Sequence, residues 1–170
     1  AGIAPNARIL TVKALDANGF GTYTQVAEAI IYATDQGARI INLGFGGAGH
    51  SQVLQDAINY ALGRGVIVVA AAGNTGADAP VYPAAYAGVI SVGAVDNGLT
   101  WAAFSSFGSG TTLTAPGIDI YSTWPGGNYS QMSGTSVSSA EVSGVAALLA
   151  GQSQFSNSIF IRDALIKTAL

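Results

Sequence analysis

Apolar and polar positions along this chain follow two alternating patterns. Short runs of Val, Ile, Leu and Ala alternate with longer segments in which apolar residues recur every three or four positions. Strands that are apolar on both faces are typical of a parallel sheet with helices on both faces, so we predict an α/β fold. The predicted strands are 8–14, 39–45, 66–72, 89–95 and 113–115, and the predicted helices are 23–36, 52–62, 135–149 and 158–169.

The composition narrows the class of protein. Of 170 residues, 49% are hydrophobic, 9% are charged and none is cysteine, which predicts one domain, 1–170, without a disulfide framework. The net charge is −3 and the six Lys and Arg residues are scattered, so no nucleic-acid partner is expected. The longest apolar run, 66–72, is far shorter than the ~20 residues that a membrane-spanning helix needs, so no membrane partner is expected either.

A glycine-rich segment follows the second predicted strand. Residues 44–49 match G-x-G-x-x-G, which binds dinucleotides where the backbone approaches a pyrophosphate at a helix N-terminus. That function also needs an acidic residue about 20 positions on, at the end of the next strand. The strand ends instead with Ala72, Gly73 and Asn74. We therefore interpret 44–49 as a tight turn and predict no nucleotide binding.

A second candidate for chemistry lies at the start of the third predicted helix. Ser136 follows Gly134 and Thr135 and precedes a helix of small and apolar residues. A serine at a helix N-terminus can act as a nucleophile, because backbone N–H groups and the helix dipole stabilise a developing oxyanion. The same position is also typical of a simple helix cap. The segment lacks the second glycine of the G-x-S-x-G elbow of α/β-hydrolases.

Several ordered motifs together resemble one family. Gly134-Thr135-Ser136 with its following helix is similar to the nucleophile segment of subtilisin-like serine proteases, the subtilases. The strand 68–72 with Gly73 and Asn74 resembles the family strand that ends in an oxyanion-hole asparagine, and 42–47 resembles one wall of the primary specificity pocket. The resemblance extends over all 170 residues.

The resemblance implies a function and a set of site residues. Ser136 would be the acylated nucleophile of a serine hydrolase, and Asn74 would stabilise the oxyanion. The substrate would be a peptide, and the protein would be secreted to the extracellular space. No cofactor is implied, and the few carboxylates in 107–114 argue against a metal site there. The substrate-binding residues would be Asn42, Leu43, Gly44, Phe45, Gly46, Ala71, Ala72 and Gly73.

Two family motifs do not occur in the sequence. Subtilases place a catalytic Asp within Asp-Thr/Ser-Gly and a catalytic His within His-Gly-Thr-His, and this chain contains neither. It therefore corresponds to the C-terminal two-thirds of a catalytic domain, without the N-terminal strands. The Asp strand would lie between 8–14 and 39–45, so another chain could fill the gap, or these two strands could pair directly. We expect the chain alone to be inactive, with the missing N-terminal segment or a second copy as a possible partner.

Two alternatives remain open at the level of sequence. The first is an atypical serine esterase in which His50, the only histidine, acts as the base for Ser136 on an ester substrate. Glu141 is a poorer base, because five residues along a helix place it ~140° away from the Ser136 face. The second alternative is a non-catalytic remnant that binds peptides without cleaving them.

Overall fold

The computed structural model describes residues 2–108, 110–155 and 157–169 and has four α-helices and six strands. In chain order, helix α1 and strand β1 are followed by α2 and β2, then by β3 to β6, and finally by α3 and α4. A short 3-10 turn, Ser153–Phe155, separates the last two helices. The bounds are α1 Tyr23–Asp35, β1 Ile40–Leu43, α2 Gln52–Gly63, β2 Ile67–Ala71, β3 Ile90–Val95, β4 Leu113–Pro116, β5 Ile120–Trp124, β6 Asn128–Met132, α3 Thr135–Ala150 and α4 Ser158–Lys167.

The four strands β1 to β4 form a parallel sheet in sequential order, with helices on both faces. Strand β2 shows how the two faces arise, because its side chains alternate. Val68 and Ala70 pack with α1 and α2, whereas Ile67 and Val69 pack on the face of α3 and α4. All five β2 residues are buried, as the apolar pattern predicted.

The helices form where the sequence indicates. Helix α1 begins with a capping box, in which Thr22 Oγ1 accepts a hydrogen bond from the Gln25 N–H and the Thr22 N–H donates to Gln25 Oε1. Helix α3 contacts all four strands of the sheet and also α4. Its small and apolar residues suit this central position, and its N-terminus lies at the carboxyl end of the sheet.

The predicted strand 8–14 is wrong. Residues 8–14 form no strand, and within the described part of the chain β1 pairs with β2 alone. The apolar pattern of 8–14 is that of a doubly covered strand, but among residues 2–108, 110–155 and 157–169 no strand pairs with it, and Ile9 is 88% exposed. The suggestion that 8–14 and 39–45 pair directly is therefore also wrong.

An antiparallel hairpin that the pattern did not predict lies just before α3. Strands β5 and β6 pair from Ile120 with Met132 to Trp124 with Asn128. Tyr121 and Tyr129 stack on one exposed face, with ring centroids 5.5 Å apart. The hairpin is mostly exposed and rich in polar residues, so it lacks the apolar runs that mark the buried sheet.

Candidate active site

Ser136 lies in the first turn of α3. Gly134, just before the helix, has a φ of +152°, and its N–H donates to the Gly117 carbonyl oxygen at 2.8 Å. Ser136 is half-buried beside Gly44, where a Cβ on the glycine would lie 3.5 Å from the Ser136 Cβ. The hydroxyl thus lies at the positive dipole end of a long helix, beside the Ser136 N–H, and both favour negative charge.

Asn74, which follows β2, is held with its amide nitrogen toward Ser136. Its Oδ1 accepts hydrogen bonds from the Thr135 N–H at 2.9 Å and from Thr135 Oγ1 at 3.0 Å. Because Oδ1 accepts both of these hydrogen bonds, Nδ2 points away from Thr135. A Cβ on Gly134 would lie 3.2 Å from Ser136 Oγ and 3.4 Å from Asn74 Nδ2. A hydroxyl and an amide donor therefore flank one small space, although 61 residues separate Asn74 from the start of α3.

Thr135 joins these two parts of the site. Its side chain is fully buried, and Oγ1 accepts the Gly73 N–H at 3.1 Å while it donates to Asn74 Oδ1. The sequence motifs predicted no separate role for Thr135. The available signal was a hydroxyl at the first position of a helix that the pattern already predicted to be buried.

We expect Thr135→Val to lower the free energy of unfolding by about 1–3 kcal/mol, because valine keeps the shape but leaves the Gly73 N–H without its acceptor. Urea denaturation measures this difference. Thr135→Ser keeps the hydroxyl and should lose less. Thr34→Val is the matched control, since the buried Thr34 hydroxyl only donates to the Ile30 carbonyl within α1. Equal losses for Thr135→Val and Thr34→Val would contradict the prediction.

The two segments predicted to bind the substrate, 42–46 and 71–73, lie beside the space between Ser136 and Asn74. Gly44 follows β1 and contacts Ser136, and Gly73 follows β2 and binds Thr135. Ala71 and Ala72 are buried, and the Ala72 N–H continues the sheet pairing to β3. The backbones of both segments therefore approach the Ser136 hydroxyl from the carboxyl edge of the sheet.

The other predicted substrate-binding residues in the first segment do not all face the space beside Ser136. The Asn42 side chain accepts a hydrogen bond from Ser143 Oγ at 3.1 Å. Leu43 is buried in the core formed with α1 and α2. Phe45 packs against the same core and, with Gly46, helps to line a cavity of about 180 Å³ beside α1 and α2.

The glycine-rich turn at 44–49 is closed by backbone pairing. The Gly47 N–H donates to the Tyr82 carbonyl at 2.9 Å, and the Tyr82 N–H donates to the Gly47 carbonyl at 2.8 Å. The Tyr23 hydroxyl also lies close to Gly47 and Gly49. This pairing agrees with the interpretation of 44–49 as a tight turn.

His50 is exposed and lies in a group of aromatic rings. Its Nε2 is 3.0 Å from Gln55 Oε1, and its ring contacts Tyr82 and Tyr86 edge-on, with centroids 5.6 and 5.7 Å away. Among the described residues, no hydrogen bond joins the Ser136 hydroxyl to a histidine or to a carboxylate.

Glu141 is half-buried in α3, five residues after Ser136. Burial raises the pKa of its carboxyl above the usual range.

In the described part of the chain, no group of three or more His, Asp or Glu side chains is placed to hold a metal ion. None of the described helices is both long and apolar enough to cross a membrane.

Comparison with known proteins assigns the chain to a family. The subtilase family, Peptidase_S8, matches residues 1–170. A thermophilic serine proteinase from Bacillus sp. (strain AK1) is 52% identical over 169 residues, which are 99% of this chain and 42% of that protein. Thermitase from Thermoactinomyces vulgaris is 48% identical over 99% of this chain and 60% of its own length. The chain thus spans about half the length of these relatives.

A solved structure agrees with the sequence relatives. The crystal structure of a cold adapted subtilisin-like serine proteinase superposes with a TM-score of 0.92 at 32% identity, covering 98% of this chain and 62% of that one. The fold is therefore subtilisin-like, as the resemblance implied. The chain belongs to the subtilase family of serine proteases.

Proposed function

We propose that this chain provides the nucleophile and the oxyanion donors of a serine peptidase site. The observation that supports this most directly is the space flanked by Ser136 Oγ and Asn74 Nδ2, each within 3.4 Å of one point beside Gly134. A substrate carbonyl in that space would have its carbon next to the hydroxyl and its oxygen next to the amide donor. The family supports a peptide as the substrate.

The proposed reaction is a two-step acyl transfer. Ser136 Oγ bonds to the carbonyl carbon and loses its proton to a base, while the carbonyl electron pair moves to the oxygen. Asn74 Nδ2 and the Ser136 N–H donate to that oxyanion. The C–N bond then breaks, the amine leaves with a proton, and water hydrolyses the acyl ester on Ser136.

The base is not assigned to this chain. His50 uses Nε2 to pair with Gln55 and packs against two tyrosines, so its geometry does not favour the esterase alternative. We propose that the segment with the family's Asp and His motifs supplies the base. Without such a segment, the site would act as a peptide-binding remnant. An extracellular location is part of the proposal and depends on the family alone.

Binding of a product-like peptide tests the site without requiring a base. An N-acetyl tetrapeptide acid ending in alanine would place a carboxylate oxygen beside Asn74 Nδ2. We expect Asn74→Asp to weaken its binding by about tenfold or more, since a hydrogen bond to a charged group is lost and a negative charge is added. Titration calorimetry on the 170-residue chain measures the affinity.

Two further variants complete this test. Asn74→Ala removes the donor without adding charge and should also weaken binding, whereas Asn59→Ala, at an exposed position of α2, should not. Equal affinity of the Asn74 variants and the unmodified chain, or no binding by any of them, would argue against the proposed site.

A further inference from the structure

Asn74 lies in a short irregular segment that packing alone does not hold. Asn74 and the next residue, Thr75, are both exposed, and residues 73–76 belong to no helix or strand. Gly73, just before them, has a φ of +108°, so the chain leaves the regular geometry of β2 at this point. The direction in which the Asn74 amide points therefore depends on hydrogen bonds that reach this segment from other parts of the chain.

Ser106 makes hydrogen bonds to both neighbours of Asn74. Its N–H donates to the Gly73 carbonyl oxygen at 2.9 Å, and its Oγ accepts the Thr75 N–H at 3.3 Å. The Ser106 and Thr75 hydroxyls form a further hydrogen bond of 3.0 Å. A single residue thus holds the chain immediately before and immediately after the proposed oxyanion donor.

Ser106 is a fixed point for this segment because it is itself buried, at 1% exposure. A Cβ on Gly73 would lie only 2.9 Å from Ser106 Oγ, so the two parts of the chain are in close contact. The Gly76 N–H adds a hydrogen bond of 2.8 Å to the Phe104 carbonyl oxygen. If the exposed segment moved, the buried Ser106 hydroxyl would lose its Thr75 partners, and an unpaired buried hydroxyl is costly.

We propose that Ser106 is a positioning residue for the oxyanion donor, because it fixes the backbone on both sides of Asn74 and so directs Nδ2 toward the substrate oxygen. The inference depends on the proposed function, since it assumes that Nδ2 donates to that oxygen. Ser106 acts through Asn74 and not through the substrate. A donor whose direction is set before the substrate binds needs no reorganisation when negative charge develops.

The test compares two N-acetyl tetrapeptides, one ending in alanine and one in alaninol, where a CH2OH group replaces the carboxylate. A hydrogen bond to a charged group is stronger than one to a neutral group, so on the unmodified chain we expect the acid to bind about tenfold more tightly than the alcohol. Ser106→Ala keeps the N–H and removes the hydroxyl. It should lower this ratio by about threefold or more and change the affinity for the alcohol little. Titration calorimetry gives the affinities, and circular dichroism checks that each variant is folded.

Ser105→Ala is the matched control, because Ser105 is the preceding residue and is also 1% exposed. Its Oγ accepts the Ala94 N–H at 2.9 Å and donates to the Ser106 carbonyl oxygen at 3.1 Å, and both partners lie outside the Asn74 segment. Ser105→Ala should therefore lower the stability in urea but leave the acid-to-alcohol ratio unchanged. An equal fall in the ratio for Ser105→Ala and Ser106→Ala would overturn the inference.

Thr75→Ala tests the same contact from the exposed side. It removes the hydroxyl that pairs with Ser106 Oγ but keeps the N–H, so it should lower the ratio less than Ser106→Ala does. If Ser106→Ala does not fold, an unchanged ratio in Thr75→Ala overturns the inference. If Asn74→Ala lowers the ratio while Ser106→Ala and Thr75→Ala do not, the inference is wrong and the proposed function stands. If Asn74→Ala leaves the ratio unchanged, or if neither peptide binds to the unmodified chain, the proposed function fails and the inference fails with it.

Discussion

A serine-directed peptidyl phosphonate will label the isolated 170-residue chain slowly or not at all. Among the described residues, no base is hydrogen-bonded to Ser136, and a serine hydroxyl is a weak nucleophile until a base removes its proton. We expect labelling roughly 10⁴-fold slower than in a complete site, since the members of a catalytic triad act as a unit. Mass spectrometry of the labelled peptide measures the rate and the position.

Adding a subtilase N-terminal segment that contains the Asp and His motifs, in trans, should restore fast labelling of this chain but not of its Ser136→Ala variant. Ser143→Ala is the control for a serine elsewhere on α3. Rapid, stoichiometric labelling of the isolated chain that disappears in His50→Ala would overturn the prediction and favour the esterase alternative. Rapid labelling that survives His50→Ala would overturn it as well and would exclude His50 as the base.

Gly134→Ala will weaken binding of the alanine-ended tetrapeptide acid by about tenfold or more, because its methyl group would lie against both Ser136 Oγ and Asn74 Nδ2 and would crowd a substrate oxygen that approaches them. The new Cβ would lie 3.2 Å from Ser136 Oγ and 3.4 Å from Asn74 Nδ2. The backbone at Gly134, with φ +152° and ψ +157°, is also in a region that is essentially restricted to glycine. We therefore expect an additional loss of about 1–3 kcal/mol in the free energy of unfolding.

Gly37→Ala separates these two effects. Gly37 has a φ of +80° just after α1, and nothing lies within 4 Å of the position of its Cβ. Its substitution should lower stability through backbone strain and leave peptide affinity unchanged. Calorimetric titration and urea denaturation of both variants provide the comparison. Unchanged affinity in a folded Gly134→Ala variant would show that the substrate oxygen does not approach Ser136 and Asn74 beside Gly134.

Most of the predicted helices and strands are present, because the contacts that bury them lie within this chain. Strands β2 and β3 are buried at every position, and the apolar runs at 66–72 and 89–95 reveal them. Helices α1 and α2 bury one face each, and their apolar spacing predicted both to within one residue at either end. Pattern and structure agree here because one set of contacts determines both.

One prediction failed because the apolar pattern is typical of a strand whose neighbours are not present in this chain. The run 8–14 has the composition of a buried strand, but hydrogen bonding of a strand requires a neighbour, and composition cannot show whether one is present. The hairpin β5–β6 is the opposite case, because its strands form although no apolar pattern predicted them. Its strands are exposed, so only the Pro125-Gly126-Gly127 turn between them gave a signal.

The motifs predicted that Ser136 and Asn74 belong to one candidate site, and the structure brings the two side chains close together. Ser136 and Asn74 were recognisable through ordered motifs. The role of Thr135 depends on contacts across large separations in the chain, those with Gly73 and Asn74. A single sequence contains no record of which distant side chains meet.

The hydrogen bonds of Thr135 also affect the stage of folding at which the candidate site forms. They join residues 61 and 62 positions apart, and loop closure over such distances follows the formation of local structure. A chain that is still folding therefore contains Ser136 and Asn74 before the two residues lie together. A transient opening limited to this joint, after folding, would separate the donor from the hydroxyl while the parallel sheet persists. Such an opening would disrupt the proposed site without unfolding the sheet.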